Sequence, residues 1–306
     1  MGRPNFFIVG APKCGTTALS EYLREHPAVL MSRPKEPHFF SRDFPYYYAP
    51  GRATLEHYLR LFDEAGPEHL AVGEASVWYL YSREALPAIK AFDPDARVIA
   101  MVRNPLDLVP SLHSQMSYVR DEDEPDPARA WALQPSRREG RNLPPSTRVP
   151  AFLQYGDVAR LGAQIERARE VFPPEQLLTL VFDDLRSDPA ATYARTLEFL
   201  GLPHDGRTEF PRINANKAHR RDAIARITQR PPRVLLRAAA GVKRILGIER
   251  LGVLDRIRAH NRRQTERPAP DPAFVDEMRE YFRDDVALLG RLLDRDLSGW
   301  LDPASS

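Results

Sequence analysis

Between residues 10 and 17 the chain reads Gly10-Ala-Pro-Lys-Cys-Gly-Thr-Thr17, a stretch whose glycines, single lysine and paired threonines are residue types that wrap an anion. The apolar run Asn5-Phe-Phe-Ile-Val-Gly10 precedes it and a helical pattern follows. Backbone N–H groups and a helix N-terminus should therefore converge on a bound phosphate. Pro12 and Cys14 belong to the same loop. Cys14 reads as a small filler rather than an activated thiol, although a helix start is where such a thiol would sit.

The spacing is close to the nucleotide-binding form GxxxxGK[ST], with one displacement: Thr16 stands where that lysine belongs, and the lysine has moved back to Lys13. A lysine inside the loop lies beside the distal group of the ligand. There it can neutralise charge on the oxygen bridging a leaving phosphate to a transferred group, which makes Lys13 a candidate catalytic cation. Thr16 and Thr17 can donate hydroxyl and amide hydrogens to a 5′-phosphate, and Gly15 lets the backbone come close. The helix macrodipole adds about 0.3–1 kcal/mol for an anion there. The same letters also suit a tight strand-to-helix turn in which glycine serves geometry alone.

The elements that must hold this loop follow from the apolar pattern. Asn5 to Gly10 is short and β-rich and reads as a buried parallel strand, a helix is expected over Thr16–His26 until Pro27 stops it, and Val29–Met31 resumes an extended run. Leu70–Val72, Arg97–Val102 and Leu177–Phe182 are further strands. Helical patterns over Ser82–Phe92, Leu106–Val119 and Asp157–Phe172 separate them. Such alternation predicts an α/β fold, a P-loop-like central parallel sheet flanked by helices. From Asp188 onward the pattern is helical, over Asp188–Leu200, Val234–Ile245, Leu251–Arg262 and Pro272–Asp294, which adds a helical C-terminal extension. A single domain is expected over 1–306, with its core in 1–210 and a basic helical part in 211–306. Between Tyr118 and Pro150 prolines accumulate and five carboxylates fall between Asp121 and Asp126, which predicts a long solvated connection.

The 306 residues carry 44 Lys and Arg against 42 Asp and Glu, and the balance is uneven: Lys217 to Arg267 holds 15 basic residues and four acidic ones. A basic region of this kind could meet an anionic cofactor, an acidic polymer or a membrane surface, and a solvated helix face explains it equally well. One cysteine precludes a disulfide within these residues and a thiol-based zinc site, so a reducing cytoplasm is expected and no metal is assigned. No run approaches the roughly 20 apolar residues of a membrane span, and Phe6 stands where a myristoylation signal wants Ser or Thr.

Pro12-Lys-Cys-Gly-Thr-Thr-Ala-Leu19 together with Arg33-Pro-Lys-Glu-Pro-His-Phe-Phe40 resembles the phosphosulfate-dependent sulfotransferases, especially the bacterial and carbohydrate branches that include the heparan sulfate enzymes. A third block, Val102-Arg-Asn-Pro-Leu-Asp-Leu-Val-Pro-Ser111, looks like the family's 3′-phosphate-binding segment, which implies Arg103 and Ser111 as ligands. Arg103 ends a predicted strand and Ser111 lies two turns along the next helix, so both could face one anion. Taken alone, an arginine at a strand end is as often a structural ion-pair partner. Asn214 to Arg221 is similar to the late cofactor loop, placing Lys217 or Arg220 near the same phosphate. The implied donor is 3′-phosphoadenosine 5′-phosphosulfate (PAPS), and the implied activity is transfer of its sulfuryl group to a hydroxyl or amine of a saccharide or small molecule. No nucleic acid is expected as a partner.

An acceptor that attacks sulfur in line must shed a proton, so a base has to face Lys13 across the transferred group. In the resembling carbohydrate enzymes the glutamate of the KEP block serves, which implies Glu36, and His38 keeps the pattern of the 3-O-sulfotransferases, where it orients the acceptor. Ser41 departs from that pattern by replacing an acidic residue. Glu36 pairing with Lys35 or Arg33, and His38 packing beside Phe39 and Phe40, are the structural alternatives. Gly73-Glu-Ala-Ser-Val-Trp-Tyr79 follows a strand, where crevices of parallel sheets open, so Glu74, Ser76 and Trp78 are candidates for the acceptor pocket, and Tyr46 to Tyr48 could widen it. Two rivals stay open. One is a P-loop kinase or triphosphatase, disfavoured because Arg103 rather than a magnesium-binding aspartate ends Arg97–Val102. The other is a non-catalytic anion-binding module built on the basic segment.

Overall fold

Five short apolar segments pair into one parallel sheet: β1 Phe6–Gly10, β2 Val29–Met31, β3 Ala71–Ala75, β4 Arg97–Val102 and β5 Leu177–Val181. The computed structural model describes residues 2–44, 54–211 and 270–302, and the backbone of 217–219 and 262–264. Phe6, Phe7, Ile8 and Val9 are all fully buried, which a strand achieves only when helices cover both faces of its sheet. The strand order is β2-β3-β1-β4-β5. From β1 the chain moves toward one edge and from β4 toward the other, so a crevice opens between the carboxyl ends of these two neighbours.

The helices fall largely where the apolar period places them: α1 Thr16–Arg24, α2 Leu55–Leu59, α3 Ala85–Phe92 and α4 Pro105–Tyr118. Then come α5 Pro127–Ala132, α6 Gln134–Arg138, α7 Tyr155–Ala159, α8 Leu161–Val171, α9 Phe182–Ser187, α10 Pro189–Leu200 and α11 Pro272–Leu293. In α4, Asn104 accepts the Leu106 N–H and proline fills the first position, the start that the sequence indicates. The Asn104 amide also donates to the Trp300 carbonyl at 3.1 Å, tying the end of the described chain to the end of β4.

Three expectations need correction. The helix expected over Asp157–Phe172 is two, α7 and α8, broken at Arg160, where ψ is 73°. The break exposes the Gly162 and Ala163 N–H groups to the Asp285 carboxylate of α11, which accepts from both at 2.8 and 2.9 Å. The strand expected to stop at Val72 runs on to Ala75, because Glu74 finds enough hydrogen-bond donors to be buried within it. The stretch from Tyr118 to Pro150 is no solvated connection. It folds into α5 and α6, and Asp121 and Glu122, two of the five carboxylates between Asp121 and Asp126, are buried.

Glu122 receives two bonds from the Arg137 guanidinium at 2.6 and 2.7 Å and a third from the Tyr155 hydroxyl at 2.6 Å. Burial opposes its charge, but these donors hold its carboxyl below the usual range. Removing one partner leaves the other charged and dry. Arg137→Leu is therefore expected to lower unfolding free energy by about 3–5 kcal/mol, read by denaturant titration.

A small antiparallel pair, β6 Lys217–His219 and β7 Arg262–Gln264, interrupts the region expected to be helical. The helices expected over Val234–Ile245 and most of Leu251–Arg262 lie outside the described residues.

Candidate active site

The loop after β1 leaves the strand through Gly10 (φ 146°), turns at Lys13 (φ 76°) and enters α1 through Gly15 (φ 91°). Gly10 and Gly15 are required twice over. Each sits in the left-handed region, and a Cβ would meet the Met101 carbonyl oxygen at 2.5 Å or the Phe182 ring at 2.8 Å. No side chain caps α1, an arrangement that suits its N-terminal N–H groups to an anion. Pro12, Cys14 and Thr16 are buried, while Lys13, Gly15 and Thr17 keep partial exposure along the loop. Burial pushes the Cys14 thiol up to about 12 even though Arg103 pulls the other way, so it is neutral and no nucleophile.

Arg103 extends from the end of β4 toward this loop. One terminal nitrogen donates to the Lys13 carbonyl at 3.1 Å, the other lies 3.3 Å from Asp107, and the guanidinium covers the Phe182 ring at 4.6 Å. Its Nε is buried with no hydrogen-bond partner, and so is the Oγ of Ser111 on α4. Buried donors are rarely left unsatisfied. Two of them, on the residues expected to grip a phosphate, suit an anionic ligand that supplies the acceptors.

Glu36 and His38 lie on the segment that continues β2 along β3, fastened by Ser32 N–H to the Gly73 carbonyl (2.9 Å) and Glu36 N–H to the Ala75 carbonyl (3.1 Å). This brings them to the same carboxyl edge of the sheet as the loop after β1. Glu36 accepts from the Lys35 ammonium at 2.6 Å and lies 3.5 Å from His38 Nε2. Protein atoms crowd its carboxylate, yet 36% of the side chain meets solvent. Burial would raise its pKa, but the bond to His38 and the Lys35 charge outweigh it and hold the carboxyl down to about 2. Glu36 (φ 64°) and His38 (φ 54°) both occupy the left-handed region, which non-glycine residues enter only where their surroundings compel it.

Glu74 and Ser76 lie beneath this segment rather than on an open wall. Both are fully buried, and each is hydrogen-bonded within the protein. Trp78 is 3% exposed and stacked on Phe152 at 3.5 Å between centroids, a packing role. Tyr46 to Tyr48 and Arg220 lie outside the described residues. Lys217 is described by its backbone alone, in β6, which runs beside the α4 helix that carries Ser111. Among the described residues no group of three His, Cys, Asp or Glu side chains could hold a metal ion, and no helix is long and apolar enough to cross a membrane.

Sequence reasoning did not single out Lys35, Tyr58, Tyr79 and Phe182 as parts of the site. Lys35 and Tyr79 stood inside quoted blocks. Phe182, at the start of α9, lies in Val181-Phe-Asp-Asp-Leu185, a weaker echo of the same family, whereas Tyr58 comes from α2 and only the fold brings it in.

An uncapped helix start, a lysine-bearing glycine loop and buried, unpartnered donors at the neighbouring strand end make this an α/β protein suited to an anion, with a carboxylate and an imidazole at the same edge of its sheet. The sulfotransferase domain model matches residues 3–220, and the chain belongs to that family. A crystal structure of a sulfotransferase from Alicyclobacillus acidocaldarius superposes with a TM-score of 0.69 at 29% identity, covering 99% of this chain and 100% of that one. The human bifunctional heparan sulfate N-deacetylase/N-sulfotransferase 3 is 31% identical over 228 residues, which are 70% of this chain and 24% of that protein. The human heparan sulfate glucosamine 3-O-sulfotransferase 3B1 is 31% identical over 199 residues, 65% of this chain and 46% of that protein. The chain thus spans less than half the length of these two curated relatives.

Proposed function

We propose that the protein transfers the sulfuryl group of PAPS to a hydroxyl or amine of a saccharide or small-molecule acceptor. The observation that carries this reading is the pair of buried, unpartnered donors, Arg103 Nε and Ser111 Oγ, next to an uncapped phosphate loop. Two separate anion sites at one crevice suit a nucleotide bearing phosphates at both its 3′ and 5′ positions. They suit a triphosphate less well, and the end of β4 supplies Arg103 where a magnesium-binding carboxylate would be needed.

In this reading the amides and hydroxyls of Gly15, Thr16 and Thr17 hold the 5′-phosphate, and Arg103 and Ser111 hold the 3′-phosphate, with Lys217 or Arg220 closing over it. The donor supplies the sulfuryl group and departs as adenosine 3′,5′-bisphosphate. Lys13 offsets the charge that builds on the bridging oxygen, His38 orients the acceptor, and Glu36 takes the acceptor's proton. A relative named for sulfation of heparan sulfate glucosamine favours a saccharide acceptor.

The first test is calorimetry. Adenosine 3′,5′-bisphosphate should saturate the wild type, and ATP with magnesium should not compete. Arg103→Ala should weaken that binding by about 10–100-fold, the value of a charged hydrogen-bond contact of about 1.5–3 kcal/mol. Saturation by ATP with magnesium and none by the bisphosphate would reject the reading.

A further inference from the structure

We infer that Glu74 is a positioning residue: through the hydroxyls of Ser76 and Tyr79, its carboxylate fixes the backbone segment that presents Glu36 and His38 to the acceptor. The presentation to acceptor rests on the function proposed above, whereas the tether itself does not.

Glu74 lies in the middle of the carboxyl end of β3 and has no exposed surface. Its Oε2 accepts from Ser76 Oγ at 2.6 Å, and its Oε1 accepts from the hydroxyls of Tyr58 and Tyr79 at 2.6 and 3.0 Å. A hydroxyl owns a single hydrogen. Once Ser76 and Tyr79 give theirs to the carboxylate, their oxygens can only accept from their remaining neighbours. Those neighbours are backbone donors: the His38 N–H reaches Ser76 Oγ and the Phe40 N–H reaches Tyr79 Oη, each at 3.2 Å. An ionised carboxylate, which accepts and never donates, thereby sets the direction of both relays.

The restrained segment needs such help. Glu36 and His38 are both held at positive φ, and the bond from Glu36 N–H to the Ala75 carbonyl also fastens the segment to β3. Tyr58 serves as an internal contrast. It donates to the same carboxylate, but it meets the segment by stacking its ring on Phe39 at 4.4 Å, a contact that Tyr58→Phe preserves.

Protonation should loosen the relay. Burial raises the Glu74 carboxyl to about 7 although Ser76, Tyr58, Tyr79 and the nearby Lys35 charge all pull it down. A protonated carboxyl donates from one oxygen, so a hydroxyl facing that oxygen must turn its own hydrogen away, toward the backbone N–H it had been accepting from, and that fastening weakens. The kcat of the wild type should therefore rise as pH increases through about 7, and Glu74→Gln should lose that dependence.

The deciding measurement is amide hydrogen exchange in the peptide spanning Pro37 to Ser41, taken on the full chain at pH 8 beside kcat and bisphosphate affinity. Ser76→Ala and Tyr79→Phe should speed exchange there by about tenfold or more. They should lower kcat by about 10²-fold, the cost of a misplaced catalytic group, and leave bisphosphate affinity unchanged. Tyr58→Phe should match the wild type in exchange. If Glu74→Gln fails to fold, the two hydroxyl variants still decide. Exchange unchanged in Ser76→Ala and Tyr79→Phe, or raised equally in Tyr58→Phe, overturns the inference. A wild type that moves no sulfuryl group while the exchange pattern holds overturns the proposed function and leaves the tether standing.

Discussion

Glu36→Gln is expected to lower kcat for sulfuryl transfer by about 10²–10⁴-fold, the usual contribution of a positioned general base, while adenosine 3′,5′-bisphosphate binds as to the wild type. The amide keeps the shape of the carboxylate and loses only its ability to take a proton. With its carboxyl held down to about 2 by His38 and Lys35 against burial, Glu36 is ionised at neutral pH before an acceptor binds. It should therefore put no acid limb on kcat/KM, which reports the free enzyme, above about pH 4. The same contacts make the resting carboxylate a weak base. An acceptor that draws Lys35 away from its 2.6 Å contact raises the proton affinity of Glu36 as it arrives, so basicity is acquired only in the loaded site. Steady-state kinetics with labelled donor, paired with calorimetry, would check this, and full turnover in Glu36→Gln would remove the base assignment.

Lys13→Ala is expected to cost about 10²–10³-fold in kcat, the scale found when one preorganised charge-stabilising group is lost. Its main-chain tie survives the substitution, because Arg103 donates to the Lys13 carbonyl rather than to its side chain. Thermal stability should therefore stay near that of the wild type, and the loss should fall on kcat more than on donor affinity. Lys13→Arg should recover little, since a planar fork cannot stand in for a compact ammonium inside a tight loop. An equal fall in bisphosphate affinity would mean that the residue merely binds.

Much of this was legible in the residue order. The run from Phe6 to Gly10 is apolar on both faces and punctuated by glycine, and such a pattern has few outcomes besides a central parallel strand feeding a loop. Arg97–Val102 announced itself in the same way, with Arg103 at its end. What the order could not show were contacts between distant elements. Glu74 looked like a polar residue past the end of a strand because its three hydroxyl partners lie 2, 5 and 16 residues away, two in the segment after β3 and one on α2. Asp121 and Glu122 read as solvated because their partners, Arg148 and Arg137, sit 27 and 15 positions onward. Charge patterning along a chain reports exposure only when each charge lacks a distant mate.

The sealed Cys14 has a practical corollary. With its sulfur out of reach and its proton retained, alkylating agents and mild oxidants should leave the native protein untouched. A cysteine introduced at Leu70, which is 59% exposed, would then be the single point at which a maleimide attaches, so dyes or spin labels could be placed without first removing a native thiol.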